Sequence, residues 1–169
     1  METNTNDKIE IKDKLIYLFN KNKMKFYILI LFLIILSISS IFIKNYIEKK
    51  NQITADNYIK AGLYLASGKK EESLNIFDEI IKSGNKFYSI LALSKILEKN
   101  LISDQKIILD YFLVIEKNIK SKDQKELILF KKALFFLKNN NSLEAKKLYQ
   151  KLKDNNSKFK FLADEVFIK

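Results

Sequence analysis

Eighteen consecutive residues, from Phe26 to Ile43, carry no charge; fifteen are apolar, the exceptions being Ser37, Ser39 and Ser40. As an α-helix this run measures about 27 Å at ~1.5 Å per residue, close to the ~30 Å of a bilayer's hydrocarbon core. A helix inside a soluble core rarely runs so far without a polar face. The run therefore predicts a transmembrane helix over 26–43. Ahead of it, Ile11, Leu15, Leu18 and Phe19 recur at helical spacing among lysines and acids. That pattern predicts a cytoplasmic, amphipathic lead-in over 1–25, lying at the membrane surface.

A cleaved signal peptide is the competing reading. The segment 26–36 would serve as its apolar region, and Ser37-Ile38-Ser39 fits a small-x-small cleavage site. Against it, the 25 residues before the run carry four acids, and Ile41, Phe42 and Ile43 continue the apolar pattern past the cut.

After residue 43 the pattern changes to apolar positions every three or four residues. Breakers interrupt it at Gly68, Gly84-Asn85, Asn100, Ser121, Asn139 to Asn141 and Asn155-Asn156. The predicted helices are 51–67, 70–82, 87–99, 103–119, 123–139, 142–153 and 158–168. Short connections between helices suggest stacked antiparallel pairs, and an internal repeat supports this. Ala61, Tyr64, Gly68, Ser73, Phe77 and Ile80 are spaced 3, 4, 5, 4 and 3 apart, and Ala133, Phe136, Asn140, Ala145, Tyr149 and Leu152 share those spacings 72 residues later. Small Ala61 and Ala133 suit a close helix crossing, with Ser73 and Ala145 as the matching surface. The rings of Tyr64, Phe77, Phe136 and Tyr149 would fill the layer between pairs. Gly68 and Asn140 tolerate the left-handed backbone that ends a helix. The middle pair, around Ala92, Leu93 and Ile96 and then Leu109 and Phe112, fits the pattern poorly. The predicted fold is all-α: one N-terminal transmembrane helix, then a solenoid of about three helix pairs over 44–169 ending in a last helix.

Composition removes most chemistry. The chain has no Cys, His, Pro or Trp, and Gly62, Gly68 and Gly84 are too scattered for a phosphate-cradling loop. Thiol catalysis, a Ser-His-Asp relay and Cys or His metal sites are therefore excluded. Asp7, Glu10 and Asp13 share a helical face, which reads as a solvated surface with lysine partners rather than as paired catalytic acids. No cofactor and no enzymatic activity are expected. The formal net charge is +11, and all 31 basic residues are Lys. Specific nucleic-acid interfaces favour the bidentate fork of Arg, so a solvated basic surface is expected instead. Within about twenty residues of the span, six lysines precede it and four follow. This bias places the N-terminus in the cytoplasm and the C-terminal domain outside.

The repeat residues resemble the tetratricopeptide-repeat (TPR) class. The arrangement as a whole resembles the YfgM family, a membrane-anchored ancillary subunit of the bacterial SecYEG translocon. The likeness rests on the lead-in 11–20 with Asn22-Lys23, the single span and a first hairpin opening at Asn51. It also includes Asn85-Lys86-Phe87-Tyr88-Ser89-Ile90-Leu91-Ala92, where that family has an aromatic residue followed by small positions. The family continues through further C-terminal helices. Here the last helix, with Phe159, Phe161, Leu162, Val166, Phe167 and Ile168, is expected to cap the stack or to offer an edge to a partner or a second copy.

The resemblance implies a non-catalytic protein-interaction module, single-pass in the bacterial inner membrane with its helical domain in the periplasm. Its implied partners are translocon subunits, periplasmic chaperones and nascent chains. An envelope or cell-division scaffold is the alternative. In stacked pairs the first helices line a groove where peptides bind. Tyr58, Lys95, Lys99, Lys131 and Lys138 are the residues expected to face it, as a basic surface for acidic segments.

Overall fold

The computed structural model describes residues 13, 14, 16, 17 and 19–167. Ile11, Leu15 and Leu18 of the expected lead-in, the acids Asp7 and Glu10, and Ile168 lie outside the described residues. All regular structure among the described residues is helical: α1 (Lys23–Ala66), α2 (Lys70–Lys82), α3 (Tyr88–Lys99), α4 (Gln105–Asn118), α5 (Lys122–Lys138), α6 (Ser142–Asp154) and α7 (Lys160–Phe167). The chain forms two compact units, Met1–Lys50 and Asn51–Lys169.

In the first unit the described residues from 13 to 21 are helical, and Asn22 makes the turn into α1. The Phe19 carbonyl accepts from the Asn22 N–H at 3.2 Å, and the Phe19 and Phe26 rings lie 5.3 Å apart. Every residue from 23 to 50 is exposed. The hydroxyls of Ser37 and Ser40 donate to the carbonyls of Leu33 and Leu36 at 2.9 and 2.8 Å. Internal satisfaction of this kind is what a polar side chain needs in hydrocarbon. This helix is long and apolar enough to cross a membrane.

The sequence predicts a span ending at 43 and a separate helix starting at 51. Instead, α1 is one helix of 44 residues. The segment from Lys44 to Lys50 contains neither Gly nor Pro. A change from apolar to charged side chains alters what the helix prefers to touch, but it leaves the hydrogen-bond ladder intact. The span's predicted start at 26 lies three residues after the observed start at Lys23, and the remaining predicted helix ends lie within two residues of those observed.

In the second unit α2 packs on α3, α5 on α6, and α6 on α7; α2 also meets α4. Phe77, Ile80 and Ile81 of α2, Leu93 and Ile96 of α3, Phe112 and Ile115 of α4, and Ile128 and Phe135 of α5 form one buried cluster. Side-chain caps define several starts. Asn85 Oδ1 accepts from the N–H groups of Phe87 and Tyr88 at 3.0 and 2.9 Å, and Asp104 Oδ1 accepts from that of Lys106 at 2.8 Å.

Helix ends repeat a second device. Gly68, Asn100, Asn140 and Asn156 have φ of +79°, +48°, +59° and +47°. Behind each, the next N–H reaches back across the turn: Lys69 to the Tyr64 carbonyl and Asn141 to that of Phe136, both at 2.9 Å, and Leu101 to Ile96 and Ser157 to Leu152, both at 3.0 Å. This is the Schellman closure, which satisfies carbonyls the helix leaves open.

Ala61, Ser73, Phe77, Ala133, Ala145 and Leu152 are fully buried, and Ile80 nearly so. The Ser73 hydroxyl donates to the Ala61 carbonyl at 2.8 Å, fastening α2 to α1 where both side chains are small. The middle pair differs in both spacing and residue type. Leu93, Ile96, Asn100, Ile108, Phe112 and Ile115 are spaced 3, 4, 8, 4 and 3 apart. The extra residues lie in the turn. The second helix begins two residues after Gly68 and Asn140, but five after Asn100. Ile108, rather than the expected Leu109, is the buried residue at that position.

The last helix is fixed on one side. Phe159 stacks on Phe130 at 5.7 Å, Phe167 stacks on Tyr149 at 5.1 Å, and Ala163 is buried. The Tyr149 hydroxyl also donates to the Asp164 carboxylate. Phe161, Leu162 and Val166 remain exposed. Just before α7, Ser157 donates to buried Glu126 at 2.8 Å, and Lys158 pairs with Asp123 at 2.9 Å. Both bonds tie this turn to the start of α5.

Candidate binding cleft

The wide turn after Asn100 has a structural consequence. It holds Ile102 and Ser103 away from α5 and leaves a cleft of about 420 Å³ among α3, the turn, the start of α4 and the second half of α5. Ile96, Leu97, Ile102, Ile108, Leu134 and Phe135 give it apolar walls. The size lies within the roughly 300–1,000 Å³ typical of ligand pockets.

Two lysines line it from α5. Lys131 and Lys138 stand seven residues apart, two helical turns, so one face presents both, with Leu134 between them. Lys138 Nζ donates to Asn100 Oδ1 at 2.5 Å. Lys131 is half-buried, and among the described residues its ammonium has no hydrogen-bond or ion-pair partner. Burial holds its pKa below the ordinary lysine range. Gln105 Nε2 donates to Asn139 Oδ1 at 3.0 Å, tying the start of α4 to the end of α5.

The other expected groove residues are placed differently. Lys95 and Lys99 both pair with Glu98, at 2.8 and 3.2 Å. Glu98 lines the cleft, and its hydrogen bond to Lys95, then that to Lys99, keeps its carboxyl below the usual range. The same bond raises the Lys95 pKa. Tyr58 packs into the core, its ring 5.8 Å from those of both Phe77 and Tyr88. That position follows from its place one helical turn before buried Ala61 on α1.

Glu98, Gln105 and the apolar wall are not among the residues the sequence points to, and Asn100 and Asn139 are expected only as helix breakers. Their signal was available in part: Leu134 and Phe135 sit between Lys131 and Lys138, so the lysine-bearing face of α5 has an apolar centre. Comparison with models of protein families, with curated proteins and with solved structures returns no match.

Chemically, the cleft offers an ammonium with no counter-ion among the described residues, a second ammonium bonded to a neutral amide, and an apolar floor. A partly desolvated charge of this kind favours an incoming anion more than a fully hydrated one does.

Proposed function

We propose that the chain is a non-catalytic polypeptide-binding module, tethered by α1 in the bacterial inner membrane with its helical domain in the periplasm. In this reading the helix pairs form a TPR-like stack, and the cleft between α3 and α5 belongs to its binding face. The observation that carries it is half-buried Lys131, without an ion-pair partner among the described residues, over an apolar wall, in a chain that also has a helix suited to crossing a bilayer. The resemblance of the span, the lead-in and the segment from Asn85 to Ala92 to the YfgM family supports assignment to the Sec translocon and its periplasmic chaperones. Tethering beside an export pore raises the effective concentration of weak sites without any catalysis.

In-membrane photocrosslinking tests this, with probes at Ile34 and Ile38 in the span and at Ser103 and Leu134 in the cleft. Translocon subunits trapped from the span, with chaperones or nascent chains trapped from the cleft, are the expected result. Division or wall-synthesis proteins trapped at both places would replace the export assignment with a scaffold.

A further inference from the structure

We infer that Lys131 is the anion anchor of the cleft, and that its occupant is an extended polypeptide segment in which an acidic side chain is flanked by apolar ones. The inference rests on the polypeptide-binding reading above and specifies its ligand. Charge complementarity comes first. Several lysines elsewhere on this surface meet carboxylates, among them Lys82 with Asp78, Lys132 with Glu116, Lys147 with Glu144 and Lys158 with Asp123, whereas half-buried Lys131 meets none among the described residues. Inside the cleft the one carboxylate, Glu98, is already taken by Lys95 and Lys99 from outside it. Lys131 and Lys138 are left facing the same space with no acid between them.

Shape selects the rest of the ligand. Seven residues of helix separate Lys131 from Lys138, about 10.5 Å at ~1.5 Å per residue. An extended chain covers that distance with about three residues at ~3.3 Å each. Leu134 and Phe135 occupy the middle of the path and call for an apolar side chain there. The amides of Asn100, Gln105 and Asn139 at the margin retain hydrogen-bonding capacity suited to peptide N–H and C=O groups. A small inorganic anion would use Lys131 and leave the apolar wall wet; a purely apolar peptide would leave the ammonium without a partner.

The test uses the full chain in detergent micelles and two fluorescein-labelled, end-blocked heptapeptides. One alternates leucine with glutamate, and the other has glutamine in place of every glutamate. Anisotropy titration should show the glutamate peptide binding at least about tenfold tighter, as expected for a charged hydrogen bond in a partly desolvated site. Lys131→Met should abolish that preference while leaving the glutamine peptide's affinity unchanged. Lys131→Gln provides the same comparison should the Met variant fail to fold, as judged by circular dichroism. Lys99→Met, on the exposed side of Glu98, should preserve the preference. Equal binding of the two peptides, or a preference that survives in both Lys131 variants, overturns the anchor and leaves the polypeptide-binding reading standing. Failure of both peptides to bind overturns both.

Discussion

The hairpin α1–α2 and the hairpin α5–α6 resume helix two residues after their left-handed residue, whereas α3–α4 takes five. Side chains change in step with the turn. The tight hairpins place Ala61 with Ser73 and Ala133 with Ala145 at corresponding buried positions; the wide one places Leu93 and Ile108 there. Tight turns bring the end of one helix close to the start of the next, so small side chains are needed where the backbones approach, as the bond from Ser73 to the Ala61 carbonyl requires. The wider turn accommodates bulk at the core and opens space at the surface. The cleft lies at that surface, so the least regular of the three hairpins is the one with a candidate site.

The sharpest way to break this comparison is to exchange the residue sizes. Leu93→Ala should destabilise the helical unit by about 2–5 kcal/mol, because it leaves a cavity where Leu93 is fully buried between packed helices. Ala133→Leu should cost about 1–3 kcal/mol by the opposite mechanism, overpacking of a tight crossing. Guanidinium unfolding of the full chain in detergent, followed by helical circular dichroism, measures both. A cost below about 0.5 kcal/mol for both variants would mean that turn length does not set the residue size.

Most of the helical pattern was legible because buried positions recur every three or four residues and the breakers fall between them. Gly68 and Asn140 could be assigned to helix ends from their residue type and spacing, and both have positive φ. Two features were not legible. The junction between Ile43 and Asn51 shows a sharp change in polarity, and polarity says nothing about whether the backbone ladder continues. The middle hairpin hid its pattern because a longer turn shifts the phase of every later position, so Ile108 replaced Leu109. The cleft shared that fate. Lys131 and Lys138 could be named from α5 alone, but Ile102 and Gln105 reach the same cavity through a turn whose geometry depends on the left-handed Asn100.

A smaller effect sharpens the likeness between the two tight hairpins. Ser73→Ala converts the first into the composition of the second, where Ala145 occupies that position. The Ala61 carbonyl keeps its helical partner, so the loss should be that of one neutral hydrogen bond, about 0.5–1.5 kcal/mol. The same unfolding measurement reads it. A loss above about 3 kcal/mol would show that the hydroxyl, rather than small size, holds the crossing together.

The smallest effect separates the cleft from the core. Burial depresses the Lys131 pKa below the ordinary 10.5, so the folded chain loses that proton before the unfolded chain does. Between the two values the unfolded state binds more protons, and stability rises with pH; below both, the full cost of keeping the ammonium charged remains. Tyr111 works in the opposite direction. Burial, and then its bond to Asp78 at 2.8 Å, raise its pKa above the ordinary 10.0, so its contribution is present below that pH and is lost as pH rises through the higher folded value. Lys131→Met should therefore raise the thermal midpoint at pH 7 slightly, and raise it less at pH 10, where the lysine has begun to lose its charge. A fall in the midpoint at pH 7 would make Lys131 a structural residue with a favourable contact. A rise, together with loss of the preference for the glutamate peptide, is the pattern of a side chain kept at a cost in stability for the ligand it meets.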